Sequence, residues 1–429
     1  MINNNIIIGA GISGLSFGYF TKNPYILFEQ SNQVGGLCKS IKEDGFTFDY
    51  SGHFIHIKDS AIKNLLEKLI NKKLLTVHRN ASIYTKKSFI PFPFQANLYY
   101  LPEKERQECI DGIKKRKNLK IYNDMPFINW SKAMFGDGIT KYFMQPYNEK
   151  LWNYDLTKLT ASWTAPFVPK PDAESILKYA YKKNETDYGY NSVFYYPDKN
   201  GCGEIINGFY KQLKNNIIKN AKVQEIDYKN KTVFVNGKYF QYNNLISTQP
   251  LTELISQLKN APANIIKSAK QLHHTSVRCI NIGIKYKKEI PKNIKDKHWI
   301  YIPEKKYPFY RVGIYSNVSS KLAPKNSYCL YVEFSGKDNK FLNCQNTIKH
   351  LINLGIIGID DKIITANIID MPYAYVIFDK NRQKILDTII KFLNSHDIYS
   401  IGRYGAWEYS FIEKNITDAK KLADKLNLQ

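Results

Sequence analysis

The sequence predicts an α/β protein: a Rossmann-like nucleotide-binding domain, a helical insertion, and a second domain built on an antiparallel or mixed sheet. Three observations predict it. The first residues read strand, glycine-rich turn, helix, strand, acid. Residues 102–158 are patterned for helix with no strand alternation. Residues 275–336 and 362–378 are rich in strand-like runs. At 429 residues the chain is long enough for two or three domains, and an apolar fraction of 43% supports a sizeable core. The expected division is discontinuous: 1–75 with 196–250 and 395–429 as the nucleotide domain, 76–195 as a mainly helical substrate domain, and 251–394 as a sheet-rich substrate domain.

Taken in order, Ile6-Ile7-Ile8 is the first strand, and Gly9-Ala10-Gly11-Ile12-Ser13-Gly14 follows at once. Gly9 permits the sharp turn, Gly11 a close backbone approach to a pyrophosphate, and Gly14 close packing of helix on strand. A helix over Leu15–Phe20 would offer its N-terminal N–H groups to phosphates. A second strand, Tyr25-Ile26-Leu27-Phe28, ends in Glu29, an acceptor suited to ribose hydroxyls. An acid at this position suits FAD or NAD better than NADP.

Residues 60–71 carry Ile62, Leu65, Leu66 and Leu69 on one helix face, and 76–90 read as extended. In Ile90-Pro91-Phe92-Pro93-Phe94-Gln95 the alternating prolines forbid a helix or a central strand and predict an extended loop. Asn148 and Trp152, four residues apart, would share a helix face. Pro166, Pro169 and Pro171 break any helix that follows. A helix after Gly203, strands over 223–228 and 232–235 with an Asn236-Gly237 turn, and the strand Leu245–Thr248 return the chain to the nucleotide domain. The strands after 275 would wall one side of a cleft. The C-terminal segment reads as a strand over 398–401, a glycine-rich turn through Gly402 and Gly405, and a closing helix from Asn415 to Lys425 capped by Asn415 or Thr417.

The net charge is +24, almost all of it lysine, with seven arginines in the whole chain. Nucleic acid, an anionic membrane surface or a phosphorylated substrate could answer such a charge. The lysines are scattered, with one dense stretch at Lys114-Lys115-Arg116-Lys117, so a solvated surface is the favoured reading and no nucleic-acid partner is expected. Met1–Asn5 has no charged signal region, no apolar run reaches the ~20 residues of a membrane span, and the six cysteines show no metal-ligand spacing. A cytoplasmic protein with free thiols and no metal is expected.

Further along lie Gly35-Gly36 just past the ribose acid, Gly52-His53-Phe54-Ile55, Pro91–Gln95, Phe143–Asn148 with Trp152, Asn191 with Phe194–Pro197, Phe309-Tyr310-Arg311, Ser316-Asn317, Tyr375, and Gly402–Tyr409. In this order the chain resembles the UDP-galactopyranose mutases of the FAD-dependent amine oxidase and protoporphyrinogen oxidase superfamily. The resemblance implies FAD, active as the reduced FADH⁻, and interconversion of pyranose and furanose forms of a nucleotide sugar for surface glycan biosynthesis. In that family reduced flavin N5 attacks the anomeric carbon with loss of UDP, and the sugar opens and recloses. The cofactor residues implied are Gly9, Gly11, Gly14, Glu29, Gly35, Gly36, Val223, Gly402, Arg403 and Asn415. Phe92, Gln95, Phe143, Asn148 and Trp152 would form the uridine site. Asn191 would contact a sugar hydroxyl, and Tyr310, Arg311, Tyr375 and Tyr409 would surround the diphosphate. His53, in the loop facing the flavin, and Arg311 are the catalytic candidates, and His56 is a weaker one. A UDP-sugar substrate, a reductant such as NAD(P)H, and an oligomeric assembly are the implied partners. One departure stands out. The family usually carries an arginine four residues after the tryptophan matched by Trp163. Here that position is Phe167, with Lys170 nearby, an ammonium without the guanidinium fork. Two other functions stay open: a flavin oxidase or desaturase of the amine oxidase class, and a basic FAD-fold protein without catalysis.

Overall fold

The computed structural model describes residues 4–116, 120–122, 124–185, 188–189, 192–336 and 342–428. Asn191 and Lys117 lie outside the described residues.

Five parallel strands form the first sheet, in the order Ile398–Ser400, Asn244–Ser247, Asn5–Ile8, Tyr25–Phe28, Ile217–Ile218. Its central strand is buried along its whole length, as a strand covered on both faces must be. The first helix, Ile12–Phe20, packs between helices Gly203–Leu213 and Ile412–Leu426 and is buried from Ile12 through Gly18. It begins three residues earlier than the sequence suggests, inside the glycine motif, so its first turn stands directly at the carboxyl end of the sheet. A Cβ added at Gly14 would strike the carbonyl oxygen of Gly9, which fixes glycine there by close packing.

The second sheet has seven strands, in the order Lys362–Val376, His274–Lys285, Ser327–Ser335, Arg311–Ile314, Trp299–Tyr301, Ala81–Thr85, Ser88–Pro91. It is mixed: every neighbouring pair is antiparallel except Trp299–Tyr301 with Ala81–Thr85. Helices Glu103–Lys115, Phe127–Ile139 and Gln145–Trp152 follow its last hairpin in sequence. Their inner faces join one apolar core with the sheet residues Val277, Cys279 and Tyr331 and with Tyr310, just before the strand Arg311–Ile314.

Three local expectations are corrected. The Pro91–Gln95 segment is not extended throughout: the strand ends at Pro91, and Phe94–Ala96 is a 3₁₀ turn that carries Gln95. The turn after Ile401 is a single helical turn, Gly402–Gly405. The closing helix runs Ile412–Leu426, with Phe411 at its N-cap and no side-chain cap, so Asn415 lies inside its first turn and caps nothing. Burial of Ile412, Ile416, Ala419 and Ala423 holds this helix in place of a capping bond. Among the described residues no helix is long and apolar enough to cross a membrane.

Candidate active site

A cavity of about 700 Å³ runs from the carboxyl end of the parallel sheet to the face of the mixed sheet. Its first half is lined by Gly9, Gly11, Glu29, Gly35, Gly36, Val223, Arg403 and Asn415. Gly9 (φ +95°) and Gly35 (φ +120°) adopt backbone conformations that favour glycine. A Cβ at Gly11 would meet nothing within 4 Å, so the backbone there faces open cavity. Glu29 is buried; its carboxylate accepts from the Ala10 N–H at 2.8 Å and from the Ser31 N–H and hydroxyl at 2.9 and 2.8 Å. Glu29 Oε2 is thereby pinned beside the glycine turn. Open backbone at Gly11, a helix N-terminus and a fixed acid at the sheet edge are what a dinucleotide requires. Two expected cofactor residues do not line the cavity: Gly14 packs on Gly9, and Gly402 (φ +84°) packs on Ser13.

At the other end stand Phe92, Gln95, Phe143, Asn148, Tyr310, Arg311, Tyr375 and Tyr409. Phe143 stacks between Phe94 and Tyr147, with centroids 5.3 and 5.4 Å apart. Gln95 donates to the Pro169 carbonyl at 2.6 Å, while its Oε1 is buried without a partner. Asn148 donates to the Met144 carbonyl at 2.7 Å and accepts from Trp152 Nε1 at 3.1 Å. Trp152 is fully buried and does not line the cavity; it stands behind Asn148.

Among the described residues, the lysines and arginines on the wall are Lys222, Arg311 and Arg403. Arg403 donates to the carbonyls of Ala374 and Ser410 and lies over the Tyr409 ring at 4.8 Å. Phe167 stacks on the same Tyr409 ring, with centroids 4.1 Å apart. Lys170 is exposed, holds its ammonium 5.4 Å over Trp130 and does not line the cavity.

Arg311 carries the partner that the sequence did not reveal. Its Nε and Nη2 donate to the carboxylate of Glu333, the latter at 2.8 Å. Glu333 is 1% exposed and also accepts from the Ser51 hydroxyl. Burial opposes the charge on Arg311, but the Glu333 carboxylate against it more than offsets this and holds its pKa well above the usual value. His53 lines the cavity with Nδ1 buried and unpartnered; burial, helped by the Arg403 charge, lowers its pKa to about 4, so the ring is neutral near pH 7. Burial raises the Tyr310 phenol well above its ordinary pKa, so it is a donor and not an anion, and its hydroxyl has no partner among the described residues. No cluster of described His, Cys, Asp and Glu residues is arranged to hold a metal, and the six cysteines are unpaired.

The family model for flavin containing amine oxidoreductases matches residues 22–343. The chain belongs to that family. It is accordingly an FAD-dependent enzyme, and the first half of the cavity has the features a dinucleotide needs. A curated relative, protoporphyrinogen oxidase of Dictyostelium discoideum, is 23% identical over 73% of this chain and 72% of its own length. Coproporphyrinogen III oxidase of Staphylococcus aureus is 25% identical over 55% of this chain and 53% of its own. Among solved structures, a reduced UDP-galactopyranose mutase superposes with a TM-score of 0.92 at 27% identity, covering 100% of this flavoenzyme and 96% of that chain. A putrescine oxidase variant superposes at 0.68 with 14% identity over 99% of each chain, a likeness of fold alone.

Proposed function

We propose that this flavoenzyme is a nucleotide-sugar pyranose/furanose mutase acting on a UDP-sugar. The observation that carries the reading is one continuous cavity joining a dinucleotide cradle to two buried amides, Gln95 and Asn148, and one guanidinium, Arg311. Near full-length similarity to a UDP-galactopyranose mutase structure supports it.

When bound, reduced FAD supplies an electron-rich N5 toward the anomeric carbon of the sugar. Gly9, Gly11, Gly35 and Gly36 hold the cofactor's diphosphate and sugars against backbone, Glu29 accepts from the ribose, and Val223, Arg403 and Asn415 border the rest. Gln95 and Asn148 each offer a donor and an acceptor to a pyrimidine edge, and Phe92 and Phe143 stack its face. Trp152 serves the uridine through Asn148. Arg311 binds the diphosphate through its free N–H groups and stays charged as the leaving group develops negative charge. Tyr310, Tyr375 and Tyr409 place phenols around it. His53 stays neutral and offers its unpartnered nitrogen beside the cofactor.

Family membership and the porphyrinogen oxidase relatives favour a second reading, a flavin oxidase of the amine oxidase class. One experiment separates them. The dithionite-reduced protein is incubated with UDP-galactofuranose under nitrogen and the products resolved by anion-exchange chromatography. Conversion to the pyranose supports the mutase. Activity only in the oxidised protein, with oxygen uptake and peroxide release, overturns it.

A further inference from the structure

We propose that Glu333 is a positioning residue: it aims Arg311 at the diphosphate and ties that arginine to the Ser51-Gly52-His53 loop. The proposal rests on the mutase reading for the identity of the diphosphate. Arg311 and Glu333 are register partners on the antiparallel strands Arg311–Ile314 and Ser327–Ser335, so their side chains leave the same face of the sheet. Glu333 takes Nε and Nη2 along one edge of the planar guanidinium. A guanidinium has five N–H donors, so the opposite edge is left to the cavity in a fixed plane.

The same carboxylate oxygen that accepts from Nη2 also accepts from the Ser51 hydroxyl. Ser51 sits in the left-handed region (φ +69°), which a side-chain-bearing residue adopts at a cost. Its neighbour Gly52 is seated by the Tyr331 hydroxyl, into which a Cβ would run. Tyr331 and Glu333 are two residues apart on one strand and so share a face. The loop that carries His53 and the strand that holds Arg311 thus meet at one carboxylate.

Charge alone argues against an acid here. A carboxylate against Arg311 cancels the cation that an anionic ligand seeks, so by electrostatics its removal should tighten diphosphate binding. Positioning makes the opposite statement, and the sign of the effect decides.

The test uses the flavin-loaded protein and UDP as the probe, titrated by calorimetry. Glu333→Gln is expected to weaken UDP about tenfold, the scale of a lost charge-assisted bond, with flavin absorbance retained. Ser51→Ala keeps the ion pair and is expected to weaken UDP about threefold, because Glu333 keeps both guanidinium bonds and loses only its tie to the loop. In an Arg311→Ala background Glu333→Gln is expected to add nothing, whereas a merely structural role would add its full effect. If Glu333→Gln does not fold, Ser51→Ala alone and in the Arg311→Ala background carries the same comparison. Tighter or unchanged binding in both variants, or full additivity, overturns the proposal while the mutase reading stands. A flavin-loaded wild-type protein that binds no UDP sinks both.

Discussion

Trp152 donates from its indole nitrogen to Oδ1 of Asn148 across 3.1 Å, one helical turn away. With the Asn148 amino group held by the Met144 carbonyl at 2.7 Å, both ends of the amide are fixed before any ligand arrives. Trp152→Phe keeps an aromatic ring in the core but removes the indole N–H together with the pyrrole half of the ring system. It leaves a buried acceptor unsatisfied, which costs about 1–3 kcal/mol of stability. The freed amide can turn, so UDP affinity is expected to fall several-fold while flavin content stays at the wild-type level. Unchanged UDP affinity in calorimetry would remove Asn148 from the uridine site.

Lys170 makes the contrasting case. Its ammonium lies over Trp130, 5.4 Å from the ring centroid, and the side chain is exposed. An exposed cation–π contact contributes about 0.5–1 kcal/mol. Lys170→Ala is therefore expected to lower stability by no more than that and to leave UDP affinity within about twofold, well below the effect of a lost phosphate contact. A tenfold loss of affinity would mean that Lys170 swings to the diphosphate when substrate binds.

How far the sequence disclosed this site depends on how local each feature is. The glycine turn, the acid at position 29 and the Asn148–Trp152 pair are short-range, and turn chemistry or helical spacing was enough to read them. Glu333 was not legible: it meets Arg311 from 22 residues away and Ser51 from 282. Strand register alone brings these together. The direction of Lys170 was equally hidden, because only packing shows that Trp130 is its neighbour. The start of the closing helix is hidden in the sequence because Phe411 offers no capping side chain to mark its N-terminus.

The pH dependence of stability follows from buried rings. Burial lowers His53, His56 and His298 to about 4 from an ordinary 6.5. For His298 the geometry agrees: Nδ1 accepts the Asn80 N–H at 2.9 Å, which requires the neutral ring. The unfolded chain binds these protons first, so the stability the three rings contribute is complete above pH 6.5 and is lost as the pH falls toward 4. Asp49 works in the opposite sense, its pKa raised by burial to about 6, so its unfavourable term grows as the pH rises from 4 to 6. Three groups outweigh one. The melting temperature is expected to fall steadily from pH 7 to pH 5, and His298→Asn, which keeps an acceptor for Asn80, is expected to make that fall shallower. A melting temperature flat across this range would mean the rings are solvated.

Gly11 and Gly14 separate fold from cofactor. A Cβ at Gly14 collides with the Gly9 carbonyl, so Gly14→Ala must push the helix off the sheet. A Cβ at Gly11 meets no protein atom within 4 Å and points into the cavity where the diphosphate of FAD is proposed to lie. Gly11 is also in an extended conformation (φ −74°, ψ −179°) that alanine adopts freely. Gly11→Ala is therefore expected to fold, with the far-ultraviolet circular dichroism of the wild-type apoprotein, and to lose most of its flavin absorbance. Gly14→Ala is expected to lose stability, by the roughly 1–3 kcal/mol typical of overpacking or more, and flavin with it. A yellow Gly11→Ala protein with full occupancy would mean that the backbone at Gly11 does not approach the cofactor.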